Sequence, residues 1–189
     1  MRWCLLWLIA LAACNNNNLQ YDKAYLDVDS LLNEQFDLLN HERPQLQKVA
    51  AMAGNTDTVT LKPDSIGWMK ELEIFRQLDA INKPTFKDAY LVEEMKDTRS
   101  NLRVRQLTSQ KRSLIPVIRF YYLDQLQHLR KIEASFEEDN ALYASHRQLE
   151  LNFDVINQQP TLTSYKVTGA QKMVLADTVR FSMAASVIR

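Results

Sequence analysis

Between Ile115 and Met183 the side chains switch between apolar and polar at every second residue in one stretch after another. That period belongs to extended chain with one face turned to a core, so the second half of the molecule must build a sheet. Ile115, Val117, Arg119, Tyr121 and Leu123 alternate with Pro116, Ile118, Phe120 and Tyr122, a strand with apolar groups on both sides and both faces expected to be covered. Arg130, Ile132, Ala134 and Phe136 alternate with Lys131, Glu133, Ser135 and Glu137. A turn at Glu138-Asp139-Asn140 then leads into Tyr143, Ser145, Arg147, Leu149, Leu151 and Phe153, completing a hairpin with one wet face. Asn157 to Pro160 reads as the next turn and Leu162 to Thr168 as a strand ended by Gly169. Met173 to Met183 reads as a last strand with a bulge near Asp177. Upstream, Tyr90 to Glu94 and Leu102 to Leu107 alternate around the polar run Lys96–Asn101, which fits a hairpin. A helix over Thr85–Asp97 is the alternative, since EEMKD is a good helical string.

The first half has a different period. Tyr25, Val28, Leu32, Phe36 and Leu39 recur at three and four residues, one face of a helix widened by Leu31 and Leu38 and ended or kinked near His41–Arg43 by Pro44, giving two helices or one bent one. Leu46, Val49 and Met52 continue that spacing on a second helical segment stopped by Gly54, and the β-branched run Thr56–Leu61 is a short strand or an extended connection. Lys62-Pro63-Asp64-Ser65 starts a helix whose Trp68, Leu72, Phe75 and Leu78 face a core; Trp68 and Phe75 are large enough to lie across a sheet. The expected fold class is α+β, with N-terminal helices packed on a C-terminal antiparallel meander of about six strands. A partly closed barrel around a cavity, with the helices as plug or lid, is the other form this pattern permits.

The first thirteen residues stand apart. Arg2 precedes an apolar run from Trp3 to Leu11 and two small residues, Ala12 and Ala13; Trp3 to Ala13 is too short for the roughly 20 residues a spanning helix needs. The order is that of a secretory signal. Leu11-Ala12-Ala13-Cys14 resembles the lipobox of bacterial lipoprotein precursors. That resemblance implies a thioether-linked diacylglycerol on Cys14, cleavage before it and acylation of the new amino terminus. Two or more acyl chains give a stable anchor where one gives a marginal hold. The division that follows is residues 1–13 signal, 14–20 polar tether carrying Asn15–Asn18, and 21–189 a single α+β domain. By the same resemblance, Asn15 in place of Asp leans towards the outer membrane, and the lack of a charged export tag towards the periplasmic side. Cys4 leaves with the signal and Cys14 carries lipid, so the exported domain has no disulfide and depends on packing.

Lys plus Arg and Asp plus Glu each number 23, which leaves no overall positive field for nucleic acid and makes it an unexpected partner. The sequence contains no nucleophile elbow, glycine-rich phosphate loop or thiol nucleophile for the exported domain, and no cofactor is expected. Neighbouring acids such as Glu93-Glu94 and Glu137-Glu138 point to opposite faces of a strand and do not converge as glycoside hydrolysis requires. His128 and His146 fall on successive proposed strands. They would need Asp124, Glu133 or Glu150 to complete a metal site, and they read better as surface or sheet-packing residues. Two sets remain as candidate contacts. Arg103 and Arg105 point the same way on a strand and form a small basic patch. Tyr121, Tyr122, Tyr143 and Tyr165 would offer apolar area with hydrogen-bonding tips if they converged on a concave face.

The strings Leu142-Tyr143-Ala144-Ser145-His146-Arg147 and Gly169–Met173 resemble segments of uncharacterised lipoproteins from Bacteroidota, a likeness that transfers no activity. The functional expectation is a membrane-anchored, non-enzymatic module for a partner protein in the envelope or a small apolar ligand, one version being a half barrel like that of lipoprotein carriers. A structural envelope protein and a hydrolase are the alternatives. An apolar cavity lined by strands would favour the ligand, and an exposed apolar patch on the free sheet face the protein partner.

Overall fold

A computed structural model of the chain describes residues 23–174 and 176–189. Cys14 and the signal and tether around it therefore lie outside the described residues. The chain forms helix α1 (Val28–Glu42), strands β1 (Gln45–Met52) and β2 (Asn55–Leu61), and helix α2 (Ser65–Arg76). Seven strands follow: β3 (Tyr90–Lys96), β4 (Arg103–Ser109), β5 (Val117–Tyr122), β6 (Leu129–Asp139), β7 (Tyr143–Ile156), β8 (Gln159–Met173) and β9 (Val179–Ile188). All pair antiparallel in one sheet of order β2-β1-β9-β8-β7-β6-β5-β4-β3. The fold is α+β as expected, but the sheet is open and does not close into a barrel.

Both helices start and stop for local reasons. Asp27 caps α1 by accepting from the backbone N–H of Ser30 at 2.8 Å, and Asp64 caps α2 by accepting from Gly67 N–H at 2.8 Å. Arg43 ends α1 in the left-handed conformation (φ 52°), its N–H returning to the Leu39 carbonyl, and Pro44 follows. The expected second helix over Leu46–Met52 is instead strand β1. Ala53 and Gly54 both take positive φ, 51° and 86°, and turn the chain into β2. Leu46, Val49 and Met52 fit either period. The decision comes from β9, which pairs with β1 from Gln45↔Ile188 to Met52↔Phe181.

Leu32 and Leu39 of α1, Trp68, Leu72 and Phe75 of α2, and Leu78 and Ile81 of the 3₁₀ turn Gln77–Asn82 are buried against one face of the sheet. That face contributes Ile118, Phe120, Ile132, Leu149, Leu151, Tyr165 and Val167. Only this face of β5 is buried, so the expectation that both would be covered does not hold; Arg119 and Tyr121 face outward among polar residues. Polar ties fix the helices in register. Gln35, fully buried, donates to the Pro160 carbonyl at 2.8 Å and accepts from Leu162 N–H at 2.7 Å. Glu71 of α2 accepts from Tyr165 Oη and from Lys48 Nζ of β1.

Two further expectations are corrected. The last strand begins at Val179, not Met173, because β8 runs on to Met173 opposite Tyr143; Asp177 lies in the β8–β9 connection and makes no bulge. Gly169 does not end β8: it sits in mid-strand between Arg147 and Phe181. A Cβ there would stand 2.7 Å from the His146 carbonyl oxygen and 2.8 Å from Phe181 Cζ. Because the nearer atom belongs to the β7 backbone, it cannot yield by a rotamer change. Gly169→Ala is expected to cost about 1–3 kcal/mol, the usual range for overpacking, seen as a lower urea midpoint at unchanged m-value.

Candidate functional site

The register decides which of the proposed contact residues meet. Tyr121 and Tyr122 are consecutive on β5 and so point to opposite faces. Tyr165 is buried in the core beneath α2, with its ring edge-on to Phe75 at 5.4 Å. Burial and the neighbouring Glu71 carboxylate push its phenol upward, so it stays protonated. Tyr143 lies at the far end of the sheet opposite Met173. The four tyrosines therefore form no common surface.

Tyr122, Arg103 and Arg105 do come together. Arg103 lies opposite Tyr122, and Arg105 opposite Phe120, on the helix-side face of β4 and β5. Glu94 of β3 stands across from Arg105 and accepts from its Nε at 2.5 Å and from Tyr122 Oη. Arg103 stacks over the Tyr122 ring at 6.0 Å. Burial works against the charged Glu94 carboxylate. The hydrogen bonds from Tyr122 and Arg105 and the positive charges of both arginines outweigh it and hold the pKa below its ordinary 4.5. Burial and the Glu94 carboxylate push the Tyr122 phenol upward.

Beside this cluster is a cleft of 460 Å³ whose floor is Val92, Leu107 and Phe120 and whose walls are Leu126 and the segment Ala24–Asp27, with Arg105 at its rim. The wall segment is pinned by a buried clasp. Asp79 accepts from Val28 N–H at 3.1 Å, Asn82 Nδ2 at 2.9 Å and Lys23 Nζ at 2.7 Å, while Asn82 accepts from Tyr25 N–H at 3.0 Å and donates to the Leu26 carbonyl. The Tyr25 ring meets Tyr90 edge-on at 5.6 Å. Sequence reasoning missed the Asp79–Asn82 clasp, because its partners lie more than fifty residues upstream.

A second cleft, of 430 Å³, lies under the 3₁₀ turn between Asp79, Lys83, Leu114, Phe136, Glu138 and Arg147. Its charges largely answer one another, although Arg147 Nε is buried without a partner and the guanidinium rests on the Phe136 ring at 4.2 Å. His128 and His146 do not approach each other. His128 is in the 3₁₀ turn before β6, and His146 is opposite Glu137 at the other end of that strand, roughly 25 Å away at the rise of a β-strand. No cluster of metal-ligating side chains occurs among the described residues. No family model, curated protein or solved structure matches the chain.

The Glu94 cluster gives a pH dependence with a defined sign. A carboxylate whose folded pKa lies below its unfolded one adds stability above the unfolded value and loses it as pH falls through the folded value. Wild type is thus expected to exceed Glu94→Gln in stability near neutrality. The gap should close on acidification below about pH 4, followed by urea unfolding at a series of pH values. A gap that is constant with pH would remove the carboxylate's charge as the cause.

Proposed function

We propose that the chain is exported, acylated at Cys14 and held at the outer membrane on its periplasmic side, where its domain binds a small apolar ligand with an anionic end. The cleft beside Tyr25 carries this reading. It is concave, sets polar groups of the 24–27 segment and Arg105 around a floor of Val92, Leu107 and Phe120, and lies within the usual ligand-pocket volume of about 300–1,000 Å³. Arg105 is already engaged by Glu94, whereas Arg103 has no carboxylate within salt-bridge distance among the described residues. Arg103 lies about 7 Å further along the same face of β4, where it is available to a carboxylate or phosphate at the ligand's end. The cleft's own wall is the chain that leads back to the tether, so a bound amphiphile would sit close to the anchor. The middle of the free sheet face is polar, and its exposed apolar side chains, Leu91 and Met95 on β3 and Val49 on β1, are dispersed towards its two edges.

Native mass spectrometry of gently purified protein tests both parts. The expected spectrum shows acyl mass on a chain beginning at Cys14, together with a non-covalent adduct. Val92→Trp fills the cleft and should remove the adduct while leaving the acyl mass. An acylated chain with no adduct would overturn the ligand reading; a chain without acyl mass would overturn the anchor. Arg103→Ala is expected to weaken a fluorescent fatty-acid probe by about tenfold, the loss of one charge-assisted contact, with little change for the corresponding alcohol.

A further inference from the structure

One row of cross-strand partners places a charge where the covered face of the sheet is otherwise apolar. Phe136 of β6 pairs with Arg147 of β7, Arg147 with Gly169 of β8, and Gly169 with Phe181 of β9. Leu149 and Leu151, the next residues along the same face of β7, are buried in the core. The Arg147 stem lies by Gly169, where a Cβ would stand 3.1 Å from Arg147 Cγ and 2.8 Å from Phe181 Cζ, and the guanidinium rests on the Phe136 ring at 4.2 Å. Apolar packing thus fixes the direction of the side chain. Hydrogen bonding does not: Nε is buried without a partner, and Nη2 reaches Gln77 only at 3.5 Å and Glu138 only at 3.9 Å. A planar fork of N–H donors, held in place and short of acceptors, is matched to a carboxylate.

The cleft of 430 Å³ that Arg147 lines is bounded on its helix side by Asp29, Arg76, Asp79 and Lys83. There one acid is short of donors. Lys23 bonds to Asp27 at 2.6 Å and to Asp79 at 2.7 Å, which leaves Asp29 at 3.9 Å from Lys23 and at 3.9 Å from Arg76. Arg76 donates instead to Asn33 at 2.8 Å. Burial and the neighbouring Asp79 carboxylate push the Asp29 carboxyl upward, as expected of an acid that lacks a bonded cation. Lys83, which closes the 3₁₀ turn, has no carboxylate within salt-bridge distance among the described residues. Asp29, Asp79 and Glu138 balance Arg76, Lys83 and Arg147, so the lining has no net charge to attract a simple anion or a simple cation. Each sign nevertheless has hydrogen bonds to gain.

We propose that this cleft binds a small zwitterion, an amino acid or a short peptide with free termini, its carboxylate on Arg147 and its ammonium on Asp29. The volume lies in the usual small-ligand range of about 300–1,000 Å³, and Leu114 and Ala80 supply apolar surface for the ligand's side chain. Gly169 acquires a role in the site, because only a residue without a side chain leaves room for the Arg147 stem and the Phe181 ring. The site is separate from the cleft beside Tyr25 and does not depend on acylation of Cys14.

Isothermal titration of the full chain with leucine and with alanyl-leucine tests it, each probe in free, N-acetylated and C-amidated form. A free form is expected to bind, the tighter of the two giving the length of ligand. Blocking either terminus should weaken it by about tenfold, the loss of one charge-assisted contact. Asp29→Asn should weaken the free form by a similar factor and leave the acetylated form unchanged. Arg147→Met, which keeps an apolar stem between Gly169 and Phe136, should weaken the free form and leave the amide unchanged. Failure of both free probes to bind overturns the proposal. So does a blocked form that binds as well as the free one, which would make the cleft a site for one charge alone. Binding of the free probe that survives both substitutions would place it elsewhere and overturn the proposal equally. The blocked probes give their answer on the wild-type chain, whatever Arg147→Met does to stability.

Discussion

The pairing of β9 between β1 and β8 is the constraint on which the rest of the fold depends. β9 joins the hairpin β1–β2 to the six strands β8 to β3, and without it that hairpin would be an isolated two-stranded ribbon of marginal stability. Arg189 adds a tie from the C-terminus to Glu42 at the end of α1, at 2.8 Å. Residues 45–52 therefore take their final form only against residues 181–188, more than a hundred residues later. Contacts of such separation slow folding, because loop-closure entropy precedes their gain. The helices then cover the middle of one face, and their polar ties, Gln35 to β8 and Glu71 to β1 and β8, reach the two strands that flank β9.

This dependence explains what could be read in the chain. The β3–β4 and β6–β7 hairpins and α2 are specified by their own residues: alternation around a polar turn, and an Asp64 cap ahead of a three-and-four apolar spacing. They appear where that pattern puts them. Segment 45–52 carries a pattern that fits both periods, and only a distant partner resolves it. Gly169 is the same kind of case. A lone glycine in a strand signals either an interruption or a close approach, and the deciding neighbours, His146 and Phe181, belong to other strands.

The candidate site was legible to the same limit. Two arginines separated by one residue must share a face of a strand, so their company could be read directly, whereas adjacent Tyr121 and Tyr122 could never share one. Which other strand supplies the counter-charge depends on register: Glu94 meets Arg105 because Lys96 pairs with Arg103. The wall of the cleft was illegible: Tyr25 falls on the apolar spacing of α1, yet the helix starts at Val28 because Asp79 and Asn82 capture the backbone before it.

The outward face of the sheet limits where partners can act. Glu133 and Glu150 stand directly opposite on β6 and β7, an arrangement that repels unless cations intervene. Lys131 at 2.6 Å and the Tyr121 hydroxyl at 2.6 Å supply the compensation, and Arg119 is directly across on β5. Burial alone would raise the Glu133 pKa, but these groups outweigh it and hold the carboxyl below its ordinary range. With Arg119 also donating to Gln106 at 2.6 Å, the middle of this face is a network of satisfied polar groups, which gains little by leaving water. Both edge strands are seven residues long and carry charges that discourage edge pairing, Glu93, Glu94 and Lys96 on β3 and Asp57 on β2. The cleft beside Tyr25, with Val92, Leu107 and Phe120 on its floor, is by contrast a concave place where water can be displaced from apolar surface at a gain.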